Sequence, residues 1–126
     1  MCLTSSSALF LIPAMIAASK QLWIHFIICM TIVVVSSHYH YTKHTDLRDY
    51  LLASDYLACA ALTLSAIYLA FLHKRYVVPA VCFAIIILLF CTGDMFVWSP
   101  DQMTSVTSHT TMHIVTVFVV TYVMFQ

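Results

Sequence analysis

Glutamate is absent from this chain, glycine occurs once, at Gly93, and charged residues make up only 8% of the 126 positions. Hydrophobic residues reach 63% and mean hydropathy is +0.97. So little charge excludes an ordinary soluble domain, because a fold of this length leaves a large share of its area facing water. The formal net charge is zero, which removes the electrostatic footprint of a nucleic-acid partner. Paired cysteine spacing is also missing. Cys2, Cys29, Cys59, Cys82 and Cys91 are scattered, mostly within apolar runs. They read as small buried hydrophobes rather than a disulfide framework or a thiolate metal site. Internal repeats, linkers and low-complexity tracts are lacking too, so residues 1–126 read as a single transmembrane domain.

What is present is a series of long runs free of Asp, Glu, Lys and Arg, the primary signal of spanning helices. The expected class is all-α, a polytopic membrane bundle of about five transmembrane helices. The first segment runs from about Ser5 to Ser19 and contains Pro13; a cleaved signal peptide competes with it, although no positive region precedes it. The second runs from Gln21 to about Tyr41 and the third from Tyr50 to Leu72, with a single acid at Asp55. After the basic turn His73-Lys74-Arg75, the fourth runs from Tyr76 to Thr92. Gly93 to Asp101, with Trp98 and Pro100, reads as a polar turn, and the fifth segment spans about Thr104 to Phe125. The last four approach the ~20 residues needed to cross a ~30 Å hydrocarbon core. Lys20, Lys74 and Arg75 fall on one side, against Lys43 and Arg48 on the other, which favours an N-terminus outside.

Five polar residues stand at helix ends. Ser36 and His40 are four apart on the second segment, and His109 and His113 are four apart on the fifth, so each pair shares a helical face. Asp55 lies early in the third. Antiparallel helices alternate in direction, so an even number of spans before His109 brings all five residues to one layer near one membrane surface. Three imidazoles, His40, His109 and His113, are then placed to bind zinc and leave a fourth position for water. Asp55 would accept or orient that water's proton, with Ser36 hydrogen-bonding the water or a substrate oxygen. An Asp within a spanning helix costs ~2.5–3.5 kcal/mol on insertion scales, so it usually has a partner or a task. The blander readings are an interfacial His pair, a Ser36 bonded to its own helix, and an Asp55 favoured by the helix N-terminal dipole. His25, His38, His44 and His73 are expected mostly at headgroup level.

At these residues the chain resembles a superfamily of seven-helix membrane proteins that includes alkaline ceramidases, the progestin and adiponectin receptors, the GPI-remodelling phospholipases and myomaker. The pattern is Ser-x-x-x-His closing the second helix, an Asp early in the third and His-x-x-x-His in the last. Here these are Ser36 to His40, Asp55, and His109 to His113. Residues 7–20 also resemble the first helix of the myomaker-like branch. The resemblance implies zinc held by the three His, an Asp and a Ser acting on its water, and hydrolysis of a lipid amide or ester. Where the family has three helices between the third and the last, this chain has room for one, which keeps the parity but removes pocket walls. A partner membrane subunit or a second copy would complete the pocket.

Two other classes compete. His38-Tyr39-His40-Tyr41 followed by Asp49-Tyr50 is similar to the small membrane anchor of succinate dehydrogenase. That likeness implies haem b on His38, with ubiquinone flanked by Asp49 and Tyr50. The third class is a non-enzymatic channel, structural or fusion protein whose polar residues line a wet path.

Overall fold

The computed structural model describes the backbone of residues 3–41, 45–97 and 102–126, with side chains at 6–39, 41, 46–47, 50–91 and 107–126. Every regular element there is an α-helix: α1 (Leu3–Ala8), α2 (Leu11–Ser19), α3 (Trp23–Tyr41), α4 (Thr45–Leu72), α5 (Val77–Val97) and α6 (Gln102–Met124). The expected all-α class is therefore what the chain adopts.

Helices α1 and α2 are one rod with a tightened joint, and Pro13 explains it. In a continuous α-helix the carbonyl of Leu9 would accept from residue 13, but proline has no N–H. Leu9 O accepts instead from Ile12 N–H at 3.1 Å, and Leu9 and Phe10 donate three residues back to Ser6 and Ser7. The tighter joint changes the direction in which α1 presents its serines. Pro79 sits in the first turn of α5, where its missing N–H removes no helical bond.

Two helices end without the glycine such ends usually take. Leu22 N–H donates to Ala17 O at 2.8 Å and Gln21 N–H to Ala18 O at 3.1 Å, with Gln21 at φ 59°. Arg75 N–H donates to Ala70 O at 3.0 Å and Lys74 N–H to Phe71 O at 3.1 Å, with Lys74 at φ 55°. Both are left-handed closures that satisfy the last carbonyls of α2 and α4. The turn expected to start at Gly93 starts later, since Gly93 to Val97 continue α5. A glycine inside a helix costs only about 1 kcal/mol, too little to stop it. Trp98 and Pro100 of that expected turn lie outside the described residues.

Four rods close into a ring. The α1–α2 rod packs on α3, α3 on α4, α4 on α6, and α6 back on α1 and α2, while α5 lies outside against α6 and α4. Helix α6 therefore has neighbours on most sides and buries Met112, His113, Thr116, Val119, Val120, Val123 and Met124. Phe10, Cys29, Ile32 and Leu62 fill the ring from the other three rods. Cys29, Cys59 and Cys82 are buried as expected, whereas Cys91 is exposed on outlying α5. His25, expected at headgroup level, is instead buried, with its Nε2 making no hydrogen bond. It lies two residues into α3, on the side that packs into the ring.

The exterior is apolar, with Ile24, Leu57, Phe71, Leu88 and Phe118 all exposed. Tyr50–Leu72 of α4, 23 residues at mean hydropathy 1.7, is long and apolar enough to cross a membrane. Among the described residues, Ser6–Ser19, Trp23–Tyr39 and Val77–Cys91 are apolar but shorter. Of the five expected spans, that stretch of α4 is the one that is both long and apolar enough among the described residues.

Candidate metal centre

One end of the ring gathers the end of α3, the C-terminal half of α1 and the N-terminal halves of α4 and α6. Asp55 is fully buried there, and it lies deeper than expected because α4 begins at Thr45 rather than Tyr50. Three turns of helix precede it, about 15 Å at 1.5 Å per residue. Its Oδ2 lies 3.3 Å from Nε2 of His109 and 3.5 Å from Nε2 of His113. The side chains of Asp55 and His113 are 0% exposed and that of His109 is 10% exposed. The spacing of four residues on α6 brings the two rings to 4.5 Å between centroids.

Proximity alone would also fit a plain histidine–carboxylate pair. The hydrogen bonding argues otherwise: neither oxygen of Asp55 makes a hydrogen bond, nor does Nε2 of His113. A buried carboxylate left so costs several kcal/mol unless something compensates it. A carboxylate oxygen 3.5 Å from an imidazole nitrogen, with no hydrogen bond at either atom, is what a cation between Asp55 and His113 would explain. Two N or O ligands bonded at 2.0–2.2 Å to a tetrahedral ion sit about 3.3–3.6 Å apart. The ligating atoms of Asp55, His109 and His113 all lie within 4.8 Å of one another. The residues fit a metal ion, and this buried Asp/His/His group could hold one.

Around the three residues lies a shell that holds them in place. Ser6 Oγ is 3.2 Å from Nδ1 of His113, and Phe10 meets the same ring edge-on at 5.3 Å. Ser7 and Ser36 share a hydrogen bond of 2.7 Å, and all three serines are buried. Tyr56 meets His109 at 5.8 Å and Phe90 at 4.7 Å, and the Tyr39 ring lies 6.3 Å from His109.

Of the five residues singled out from the sequence, Asp55, His109 and His113 come together directly. Ser36 joins them through Ser7 and its neighbour Ser6. His40 is on the last turn of α3, four residues beyond Ser36, and its side chain lies outside the described residues. Asp55, expected to act on water, stands where a metal ligand would. Ser6 and Ser7 were not anticipated, although Ser5-Ser6-Ser7 is a polar run inside an otherwise apolar segment and was the available signal. The haem reading does not gain from the structure. His38 is exposed, with Nδ1 3.2 Å from Val34 O of its own helix, and Tyr50 is 75% exposed. Asp49's side chain lies outside the described residues. Comparison with protein families, with characterised proteins and with solved structures gives no match for this chain.

Proposed function

We propose that the chain is a multi-pass membrane protein that hydrolyses a lipid amide or ester with zinc, a shortened member of the ceramidase and receptor superfamily. The observation that carries this reading is the buried Asp55, His109 and His113 group, whose facing nitrogen and oxygen atoms make no hydrogen bond at Asp55 or at His113 Nε2. An apolar exterior on every rod supports a lipid surround, since apolar patches of that extent are rare on soluble monomers. Only 33% of the best membrane-length window of α4 is buried, unlike a soluble core helix.

His40, His109 and His113 would hold zinc there, which would supply a nucleophile at neutral pH by lowering the pKa of a bound water to about 7. The chain's own residues divide the remaining work. His109 and His113 provide imidazole nitrogens, and His40 at the end of α3 is the third. Asp55 takes up a proton at Oδ2 or holds the water in register. Ser36, anchored by Ser7, offers a hydroxyl to a substrate oxygen. His109 is the partly open side of the group, so an acyl chain arrives past Tyr39 and Tyr56, sideways from lipid. Membrane lipids are the substrates, and a second copy or a partner membrane chain supplies the walls that a five-rod bundle lacks. Lys20, Lys74 and Arg75, three cations against Lys43 and Arg48, favour a cytoplasmic opposite end and an N-terminus outside.

Metal analysis of the purified chain tests this. Zinc is expected at one equivalent in the wild type and lost in His109→Ala and His113→Ala. A zinc content unchanged by His113→Ala overturns the reading. Asp55→Asn separates its two roles: metal lost by more than about 100-fold marks a ligand, whereas metal kept with hydrolysis of ceramide-like or phospholipid substrates lost marks a base.

A further inference from the structure

The short helix α1 enters the chemistry just described only through Ser7, yet it buries two serines at the centre and touches both α3 and α6. We infer that Ser6 is a positioning residue of the metal centre: its hydroxyl accepts the Nδ1–H of His113 and so keeps the lone pair of that ring on Nε2, facing Asp55. The inference rests on the metal reading above and adds to it the residue that sets one ligand's tautomer.

The assignment follows by elimination. A neutral imidazole carries one proton, on Nδ1 or on Nε2. On Nε2 it would be a donor on a ring that is 0% exposed, and Nε2 makes no hydrogen bond, even to Asp55 Oδ2 at 3.5 Å. Buried donors are nearly always paired. On Nδ1 the proton points at Ser6 Oγ, 3.2 Å away and itself buried. The ring cannot easily turn to another arrangement, because Phe10 stands edge-on against it at an interplanar angle of 80°.

Ser6 is held in turn by its surroundings. Its neighbour Ser7 is tied to Ser36 of α3, and the carbonyls of both serines accept from Leu9 and Phe10 in the joint that precedes Pro13. The N-terminal rod thereby links α3 to His113 on α6, helices that are not adjacent in the ring. Metal-binding histidines characteristically donate their second N–H to an oxygen, and loss of that partner weakens metal binding by about 10–100-fold.

The test uses the full chain in detergent micelles, with Zn²⁺ competed against a chromogenic chelator. Ser6→Ala is expected to weaken zinc about 10–100-fold, Ser6→Thr to restore it, and Ser65→Ala, whose hydroxyl bonds its own helix at Leu62 O, to leave it unchanged. Nitrogen-15 NMR of the metal-free chain reads the tautomer directly: Nδ1–H at His113 in the wild type, a mixture of tautomers in Ser6→Ala. Equal zinc affinity for wild type and Ser6→Ala overturns the inference, and so does an Nε2–H tautomer in the wild type. A wild type that binds no zinc instead sinks the functional reading, and the NMR measurement still decides what Ser6 does.

Discussion

The two ends of the bundle handle polar residues in opposite ways. At one end Ser6, Ser7, Ser36, Asp55 and His113 are buried and reach one another across four rods. At the other, Lys20, His73, Lys74 and Arg75 are exposed. There α2, α4 and α6 all terminate, and cations are favoured at helix C-termini. Lys20 donates to the carbonyl of Met124 and lies 5.7 Å over the ring of Phe125. The basic end is therefore explained by exposed cations at helix C-termini, with Lys20 reaching across to the end of α6. The acidic and imidazole end is not, because nothing local to α4 requires a carboxylate three turns in. Cost without local compensation is what marks it as the candidate working end.

The sharpest way to break this contrast is to loosen the packing at the working end. Phe10 is fully buried against His113. Phe10→Ala is expected to destabilise the bundle by about 3–5 kcal/mol, the cost of a large buried side chain and the cavity left behind. Leu72→Ala at the basic end removes a side chain that is 56% exposed, and is expected to cost less than about 0.5 kcal/mol. Chemical unfolding in micelles measures both. Equal losses at the two positions would mean that the ring has no tighter end.

How much of this was legible beforehand differs by residue. Apolar runs gave α3 and α6 within about two positions and α4 and α5 within five, since lipid-like composition leaves a helix as the one way to satisfy the backbone. The spacing of four between His109 and His113, and the parity of the rods, placed Asp55 beside them. The joint at Leu9 and Phe10 was hidden, because Pro13 announces a break without saying which way the preceding turn will face. Ser6 and Ser7 were hidden with it: their role depends on which helix closes the ring, a tertiary fact. The start of α4 at Thr45 was missed because Asp46, Arg48 and Asp49 look like a loop, whereas Asp46 sits in the first helical turn where an acid is favourable. His25 was misplaced for a related reason, since depth along α3 did not reveal which face packs inward.

A smaller effect sharpens the account of the basic end. Gln21 and Lys74 both occupy left-handed backbone at φ 59° and 55°, where a side chain crowds its own carbonyl. Gln21→Gly and Lys74→Gly relieve that crowding, although glycine also gains freedom in the unfolded chain. Each is expected to stabilise by about 0.5–1 kcal/mol net and to leave zinc affinity as it was. A loss of stability in either variant would show that the side chain there does more than close a helix.

The smallest effect separates the ends by their response to salt. Lys20 lines an open cleft of about 290 Å³ with His73 and Met124, so water and ions reach its ammonium group. Lys20→Met keeps the aliphatic stem and removes the charge, and is expected to cost about 0.3–1 kcal/mol at low ionic strength. The Debye length falls from about 30 Å at 0.01 M to about 3 Å at 1 M salt, so most of that difference should vanish across the range. The Asp55 group is buried and excludes mobile ions, so metal lost through His113→Ala should stay lost at both salt concentrations. Unfolding and zinc titrations at 0.01 M and 1 M decide it. A Lys20→Met cost that persists in high salt would place Lys20 in a dry, specific contact with Met124 and Phe125, and the basic end would then be held together by the same kind of buried interaction as the working end.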